Sequence, residues 1–317
     1  MSNYLITGGA GFIGSNLANH LLTNHKVVVI DDLSMGSITN LNNSDKLTFI
    51  HGSVTDYDLM DKVLTDYQFD YIYHLAAIAS VADSVDRPLA THNVNFSSVL
   101  NLIESVKIKQ KGIKRLVFAS SAAVYGDEPT LPKKEESVIR PLTPYAVDKF
   151  AAEKYVLAYN NLYNVPMSAV RFFNVYGPNQ NPSSPYSGVI SLLVNQFEQH
   201  KSGNKADFNI FGDGEQTRDF VYVKDVLNAL LLVGTSEQSK GEVYNVGTGR
   251  STTLNTLINT ISEILDVELP IIYKEPRIGD ITDSLANIDK LKSLNFEAEF
   301  DIKAGLTVYL ERVKETS

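Results

Sequence analysis

The chain contains no cysteine in its 317 residues. A disulfide framework and a metal site with thiolate ligands are therefore excluded. No His-Glu-x-x-His pair is present that would supply a zinc site made from histidines. We predict a protein without a metal ion.

Long apolar runs and positive charge are also scarce. Runs such as Leu230–Val233 are far shorter than the roughly 18 residues of a membrane-spanning helix. The formal net charge of −9 repels polyanions, and no basic stripe is present to bind nucleic acid. The first apolar run, Tyr4–Thr7, begins too close to the N-terminus for a signal peptide. We expect a cytoplasmic protein with neither a membrane nor a nucleic acid as partner.

Short apolar runs alternate with longer amphipathic stretches in the first half of the chain. Short strands that are apolar throughout, separated by helices, are typical of a parallel sheet covered on both faces. We therefore predict an α/β fold with a doubly wound, Rossmann-like sheet that binds ligands at the carboxyl ends of its strands. The predicted strands are Tyr4–Thr7, Lys26–Ile30, Leu47–His51, Tyr71–Leu75, Arg115–Ser120 and Ser168–Phe172.

The amino-acid composition of the chain changes after Asn174. The stretch Gly177–Gly188 is rich in proline, asparagine, serine and glycine, and shorter elements follow, including a turn at Asp213-Gly214 between two β-like runs. We predict a cofactor-binding domain over 1–174 and a smaller α+β substrate lobe over 175–317. The apolar run Val223–Val233 predicts a helix, so that 220–240 packs back on the sheet.

A glycine-rich segment follows the first predicted strand and opens a helix. Glycines allow a tight turn and a close approach of the backbone, so that a pyrophosphate can bind the amides at the helix N-terminus. The second strand ends in Asp31-Asp32, where a carboxylate accepts hydrogen bonds from a ribose and repels a 2′-phosphate. The pattern predicts NAD rather than NADP, and the segment reads Thr7-Gly8-Gly9-Ala10-Gly11-Phe12-Ile13-Gly14.

The Gly8/Gly11/Gly14 spacing resembles that of the extended short-chain dehydrogenase/reductase family, which includes the sugar-nucleotide epimerases and dehydratases. The resemblance covers nearly the whole chain. At the third strand the family often carries Gly-Asp-Ile/Val, whereas here Ser53 replaces the aspartate, so the contact with adenine is left open. The resemblance implies that the cofactor is lined by Ser53, Val54, Leu75, Ala76, Ala77, Asn95, Tyr145, Lys149 and Phe173, in addition to the glycine segment and the acidic pair.

Tyr145 and Lys149 are one helical turn apart, with Thr143 as the predicted N-cap and Pro144 as the first helical residue. This spacing is common by chance, but Ser120–Gly126 also matches the family segment that precedes it. The resemblance implies that Tyr145 is the general base and that Ser121 orients the substrate hydroxyl. A free tyrosine has a pKa of about 10, and we expect Lys149 and the positive nicotinamide to lower it.

The same resemblance implies a UDP-sugar substrate. Arginine can form two parallel charged hydrogen bonds with a diphosphate, and the family segments place Asn174, Arg218 and Arg277 at this anchor. The expected reaction is 4-epimerisation through a 4-keto sugar, with NAD regenerated in each turnover. Ser284 stands where relatives confined to non-acetylated sugars carry a tyrosine, and Ala79 is small on the opposite wall. UDP-N-acetylglucosamine and UDP-N-acetylgalactosamine are thus the preferred pair, with UDP-glucose and UDP-galactose as a second pair.

Several alternatives stay open at this point. Dehydratases carry an Asp-Glu pair where Ala122 and Ala123 stand, decarboxylases carry a glutamate at the second position, and uronate epimerases place an arginine at Ala79. A UDP-glucose 4-epimerase, a reductase that releases its cofactor and a non-catalytic NAD-binding regulator remain alternatives. The stretches Asn93–Lys109 and Tyr145–Tyr163 resemble the helices that form a homodimer in relatives.

Overall fold

The computed structural model describes residues 1–181, 188–276 and 282–316. In chain order its strands are β1 (Asn3–Thr7), β2 (Lys26–Asp31), β3 (Leu47–His51), β4 (Tyr71–His74), β5 (Arg115–Ser121), β6 (Met167–Phe172), β7 (Asn174–Tyr176), β8 (Phe208–Phe211), β9 (Thr217–Arg218), β10 (Phe220–Tyr222), β11 (Val243–Val246), β12 (Thr252–Thr253) and β13 (Ile271–Lys274).

The α-helices include two very short ones, and a π-helical turn at Asn93–Ser97 leads into the fifth. They are α1 (Phe12–Leu21), α2 (Tyr57–Asp66), α3 (Val81–Asp86), α4 (Pro88–His92), α5 (Ser98–Lys109), α6 (Pro144–Tyr163), α7 (Val189–Lys201), α8 (Val223–Thr235), α9 (Leu254–Leu265), α10 (Asp289–Lys292) and α11 (Ile302–Thr316).

The central sheet has seven parallel strands in the order β11-β6-β5-β4-β1-β2-β3. This order confirms the predicted doubly wound α/β fold, and the six predicted strands all lie in the sheet. The seventh strand, β11, was not predicted; it has only four residues, and one of them is the polar Asn245. That side chain is fully buried, and it accepts a hydrogen bond from the Tyr125 hydroxyl (2.6 Å) and donates to the Lys133 carbonyl (2.9 Å).

Successive side chains of each strand point to opposite faces of the sheet and divide the apolar residues between two cores. Leu5 belongs to one core and Ile6 to the other, as do Ile72 and Tyr73. Helices α1 and α8 cover one face, whereas α2, α5 and α6 cover the other. Because both faces of the sheet are covered, the side chains of its inner strands are buried, including the polar Ser168 and Arg171 of β6.

The second half of the chain adds three pairs of short strands, β7 with β10, β8 with β13 and β9 with β12. The turn at Asp213-Gly214 does not join a hairpin, because β8 and β9, the strands before and after it, pair with other strands. The helix predicted over Val223–Val233 is confirmed as α8, which packs on the central sheet. Strand β11 also lies in that sheet, so elements of the range 175–317 contribute to both parts of the fold. In the described ranges, no helix is long and apolar enough to cross a membrane.

The start of α1 lies against the loop that follows β1. A Cβ atom at Gly14 would lie 2.7 Å from the Gly9 Cα and would also collide with the Gly8 carbonyl. Both neighbours are backbone, so they cannot move aside as a flexible side chain can. At Gly112, by contrast, a Cβ atom would meet no atom within 4 Å.

Gly14→Ala should therefore lower the free energy of unfolding by about 1–3 kcal/mol, the usual cost of overpacking. Urea denaturation of the purified protein measures this change. Gly112→Ala is the matched control and should leave the free energy of unfolding nearly unchanged. Equal stability of the two variants would contradict this account of the α1 start.

Candidate active site

The carboxyl ends of the central strands border a cavity of about 540 Å³. It lies where the strand order reverses, between β1 and β4, which is the ligand-binding position of open α/β sheets. Most of the predicted cofactor residues line it, and so does Ala79. The lining includes Gly8, Gly11, Phe12, Ile13, Gly14, Asp31, Asp32, Ser53, Val54, Leu75, Ala76, Ala77, Tyr145 and Lys149.

The glycine segment brings backbone close to backbone at this edge. Gly8 has a φ of +69°, and a Cβ atom there would lie 2.7 Å from the amide nitrogen of Ala76. Gly11 is the N-cap of α1, and no side chain of the described residues caps the first amides of the helix. These amides are therefore available to an anion. The segment fits the pyrophosphate of a dinucleotide.

Asp31 links the end of β2 to the glycine segment. Its carboxylate accepts hydrogen bonds from the amides of Ala10 (2.9 Å) and Leu33 (2.8 Å). A carboxylate offers about four acceptor positions, so it can still accept from the hydroxyls of a ribose. Asp32 is exposed, lines the same cavity and accepts a hydrogen bond from the amide of Ser34 (3.0 Å).

Ser53 and Asn95 differ in their relation to this cavity. Ser53 lines it, while its hydroxyl lies 2.9 Å from that of Thr55. Asn95 is buried outside the lining, and both ends of its amide bind the backbone of Ile78, at 2.9 Å and 3.0 Å. Asn95 is therefore placed to hold the segment after β4, whose residues line the cavity, rather than to contact a ligand directly.

Helix α6 carries Tyr145 and Lys149 on one buried face. The predicted start of the helix is confirmed, because Pro144 is its first residue and the Thr143 hydroxyl accepts from the Ala146 amide at 3.3 Å. Farther along the helix, Glu153 forms an ion pair with Arg171 of β6 at 2.6 Å and accepts a hydrogen bond from Ser120 at 2.8 Å. The helix is thus fixed against the ends of β5 and β6.

Lys149 is 3% exposed, and its Nζ donates to the carbonyl of Ala119 at 2.9 Å. Burial lowers its pKa to about 8, although the neighbouring Asp148 acts in the opposite direction. Burial raises the pKa of Tyr145, and a hydrogen bond with Ser121 partly opposes the rise. The hydrogen bond with Ser121 thus favours the phenolate, and the Lys149 Nζ, of which the sequence led us to expect this effect, lies 6.0 Å from the centre of the Tyr145 ring.

His74 lies at the end of β4 beside this site. Its Nδ1 is 2.8 Å from the Thr7 hydroxyl, and burial lowers the pKa of the ring to about 3. The imidazole is therefore neutral, and we assign it no chemistry.

A second cavity of about 450 Å³ lies beyond the end of β5. Phe173 lines this cavity rather than the first one, together with Ala122 and Ser284. Ser121 lies between the two cavities along the chain, since Ser120 lines the first and Ala122 the second. Ser121 itself lines neither cavity.

Of the three residues predicted to bind the diphosphate, Asn174 and Arg218 line neither cavity. Asn174 is exposed at the start of β7, directly after Phe173. Arg218 lies in β9, and its Nη1 donates to the carbonyls of Thr217 (2.8 Å) and Thr282 (3.0 Å). Arg277 falls outside the described residues.

Several parts of the lining of the first cavity were not predicted. The loop after β2 contributes Ser34, Met35 and Gly36, the segment around α3 contributes Ser80, Asp83 and Arg87, and the chain after β7 contributes Asn179, Gln180 and Asn181. Asn179 has a positive φ and follows Gly177-Pro178, a dipeptide that marks a turn in the sequence. Among the residues that the structure describes, no group of three metal-ligating side chains is present.

Comparison with known proteins gives concordant results along the chain. A model of the NAD dependent epimerase/dehydratase family matches residues 4–247. The solved UDP-N-acetylglucosamine 4-epimerase of Methanobrevibacter ruminantium M1, in complex with UDP-N-acetylmuramic acid, is 38% identical with a TM-score of 0.92, over 100% of this chain and 99% of that chain. The crystal structure of the Thermotoga maritima UDP-glucose 4-epimerase with UDP-glucose is 36% identical with a TM-score of 0.91, over 99% of each chain. The UDP-glucose 4-epimerase of Mycolicibacterium smegmatis is 36% identical over 319 residues, 99% of each sequence.

Asp31→Ala should weaken NAD binding by about tenfold or more, because hydrogen bonds to a charged acceptor contribute about 1.5–3 kcal/mol. The preference for NAD over NADP should shrink as well, since the charge that repels a 2′-phosphate is removed. Titration of the apoprotein with each cofactor measures both effects. Asp32→Ala is the matched control, and a shift of preference in that variant alone would assign the selection to Asp32.

Proposed function

The chain belongs to the NAD-dependent epimerase/dehydratase family, and we propose that it is a 4-epimerase that acts on UDP-hexoses. The observation that carries the proposal is the position of Tyr145, Lys149 and Ser121. Tyr145 and Lys149 line the dinucleotide cavity, and Ser121 lies next to residues of both cavities. The similarity to solved UDP-sugar 4-epimerases over nearly the entire chain supports a substrate of this class.

NAD held by the glycine segment and Asp31 would supply reversible hydride exchange at carbon 4 of the sugar, and its positive charge would favour the ionised form of Tyr145. Tyr145 removes the proton of the 4-hydroxyl as general base and returns it after the sugar has turned. Ser121 donates a hydrogen bond to the oxygen on carbon 4 as it becomes a carbonyl. The net change is inversion at carbon 4 without net oxidation.

Lys149 assists this proton transfer through its charge. A buried ammonium favours a phenolate nearby, and the Ala119 carbonyl holds the Lys149 Nζ on the Tyr145 face of α6. Since burial by itself raises the pKa of Tyr145, the base needs both Ser121 and positive charge to ionise near neutral pH.

The diphosphate anchor has to hold while the sugar turns. We assign this role to Asn174, Arg218 and Arg277. Asn174 is the first residue of β7, and Arg218 lies in β9. The planar fork of an arginine suits a diphosphate because it makes two charged hydrogen bonds.

Elimination and decarboxylation lack their acid–base groups at this site. Ala122 lines the second cavity where a dehydratase has an acid. Of the carboxylates that line that cavity, Glu128 is paired with Lys133 at 2.7 Å and Asp127 with Arg140 at 3.1 Å, and Asp283 accepts a hydrogen bond from the Thr217 hydroxyl at 2.6 Å. A reductase would release its cofactor, so NAD that stayed bound through purification would favour the epimerase. Measured turnover of a UDP-sugar would argue against a regulator without catalysis.

We propose UDP-N-acetylglucosamine and UDP-N-acetylgalactosamine as the preferred pair. Ser284 and Ala122 are small side chains on the wall of the second cavity, and Ala79 is small on the wall of the first. The second cavity therefore has room for an N-acetyl group beside Ser284. A roomy pocket does not strongly reject the smaller sugar, so UDP-glucose and UDP-galactose form the second pair, and a UDP-glucose 4-epimerase remains the alternative.

A homodimer is part of the proposal. Helices α5 and α6 leave apolar side chains exposed on the surface, among them Ile108, Val147, Tyr155 and Leu162. A second copy of the chain would cover them in a four-helix arrangement. The expected location of this enzyme is the cytoplasm.

Incubation with UDP-N-acetylglucosamine, UDP-glucose and UDP-glucuronate separately should yield the 4-epimers of the first two, identified by NMR.

Tyr145→Phe should fold, retain NAD and lose at least about a hundredfold in kcat, because general-base catalysis contributes about 10²–10⁴. Tyr67→Phe, at an exposed position directly after α2 and outside both cavities, is the control and should keep wild-type turnover. Near-normal activity of Tyr145→Phe would remove the general base from the mechanism.

Ser284→Tyr should reduce kcat/KM selectively for the N-acetylated pair, by roughly 10- to 200-fold, the range that pocket size differences provide. Ser284→Ala separates the two possible reasons. It keeps the space and removes the hydroxyl, so it should retain the N-acetylated pair if volume decides. A uniform change of both sugar pairs in Ser284→Tyr would contradict the assignment of this wall to the sugar.

A further inference from the structure

Asp219 is a buried carboxylate, 0% exposed, between β9 and β10. Its Oδ1 accepts from the amide and the hydroxyl of Thr248, at 2.8 Å and 2.7 Å. Its Oδ2 accepts from the amides of Gly249 (2.9 Å) and Ala286 (3.2 Å). Burial raises the pKa of Asp219, and these hydrogen bonds oppose that rise. Every one of these partners is a donor, which suits an ionised carboxylate.

The same residue connects the segments that carry the proposed substrate groups. The carbonyl of Asp219 accepts from the amide of Asn174 at 3.1 Å. Its carboxylate binds Ala286, which lies two residues after Ser284. Arg218 directly precedes it in the chain.

Residues 217–219 form a short ladder with residues 282–286. Thr217 donates its amide to the Thr282 carbonyl (2.9 Å) and accepts from the Ser284 amide (3.1 Å). The Thr217 hydroxyl also donates to the Asp283 carboxylate (2.6 Å), and Arg218 donates to the Thr282 carbonyl (3.0 Å). The Asp219 carboxylate adds the bond at the far end of the ladder, to the amide of Ala286. Loss of the carboxylate therefore frees the Ala286 end while the bonds at Thr217 and Arg218 remain.

We propose that Asp219 is the positioning residue of the UDP-sugar site, which holds Asn174, Arg218 and the Ser284 wall in their mutual arrangement. This inference rests on the proposed function. Asp219 touches neither cavity, so it acts through these three residues and not on the substrate. The effect should fall on substrate binding, because Tyr145 and Lys149 are fixed by α6 and by the central sheet.

An asparagine at position 219 has nearly the same shape but only one acceptor oxygen. Its NH₂ group would face a backbone amide, either that of Thr248 or those of Gly249 and Ala286. At least one buried N–H would then lack an acceptor, which costs about 1–3 kcal/mol. The substitution thus opens the connection without creating a cavity.

Asp225 provides a matched control elsewhere in the molecule. It is also 0% exposed, and its carboxylate accepts from the amides of Glu299 and Phe300, both at 3.1 Å. It lies on α8 and lines neither cavity. Asp225→Asn therefore removes a similar buried interaction at a place without a proposed substrate residue.

The experiment compares the NAD-loaded wild type, Asp219→Asn and Asp225→Asn. UDP alone is the probe, titrated by calorimetry, and KM, kcat, NAD content and urea stability are measured beside it. We expect Asp219→Asn to raise the Kd of UDP and the KM of the UDP-sugar by at least tenfold, with kcat within about threefold and NAD content unchanged. Asp225→Asn should lose comparable stability and keep the wild-type Kd of UDP.

An unchanged Kd of UDP in folded Asp219→Asn, or an equal rise in Asp225→Asn, would overturn the inference. If Asp219→Asn does not fold, Thr248→Val decides, because it keeps the carboxylate and removes only the hydroxyl that donates to Asp219 and accepts from the amide of Arg250. A raised Kd of UDP in that variant supports the inference, and an unchanged one overturns it. Failure of the wild type to bind UDP would instead refute the proposed function.

Discussion

The ion pair between Arg171 and Glu153 is the interaction on which the site depends. The two residues are 1% and 0% exposed, and the guanidinium binds both carboxylate oxygens, at 2.9 Å and 2.6 Å. Arg171 also donates to the Tyr125 hydroxyl (2.8 Å) and to the Glu135 carbonyl (3.0 Å). Removing one partner of such a buried pair costs about 3–5 kcal/mol. The pair therefore fixes α6, with Lys149 one turn away, against β5 and β6.

From this fixed helix, the cofactor side of the site is built almost wholly from the ends of the central sheet. Gly8 follows β1, Asp31 is the last residue of β2, and Ala76 follows β4. Regular secondary structure therefore determines their positions. The substrate side depends on loops and two-residue strands, such as β9, that are joined by individual hydrogen bonds. The first cavity thus owes its order to the sheet, whereas the residues proposed to bind the sugar are held by a few polar contacts.

The difference between the two sides also explains what could be predicted from sequence. The six strands and the glycine segment follow local rules of periodicity and turn chemistry, and the structure brings those residues together at one edge. Strand β11 has a buried asparagine in its short run, and the amide of Asn95 bonds to Ile78, which is distant in sequence. The partners of Asp219 are likewise scattered over residues 174, 248, 249 and 286. Such long-range pairings have no local signature in the chain.

The separation of the two cavities affects how this enzyme can evolve. Ser284 lines the second cavity from a segment that contributes no strand to the central sheet. Substitutions in that segment can therefore change which hydroxyl or amide substituents fit while leaving the glycine segment and α6 intact. Mutational drift can explore new sugar specificities without first losing hydride chemistry. One ancestral oxidoreductase architecture can in this way supply many sugar-modifying enzymes.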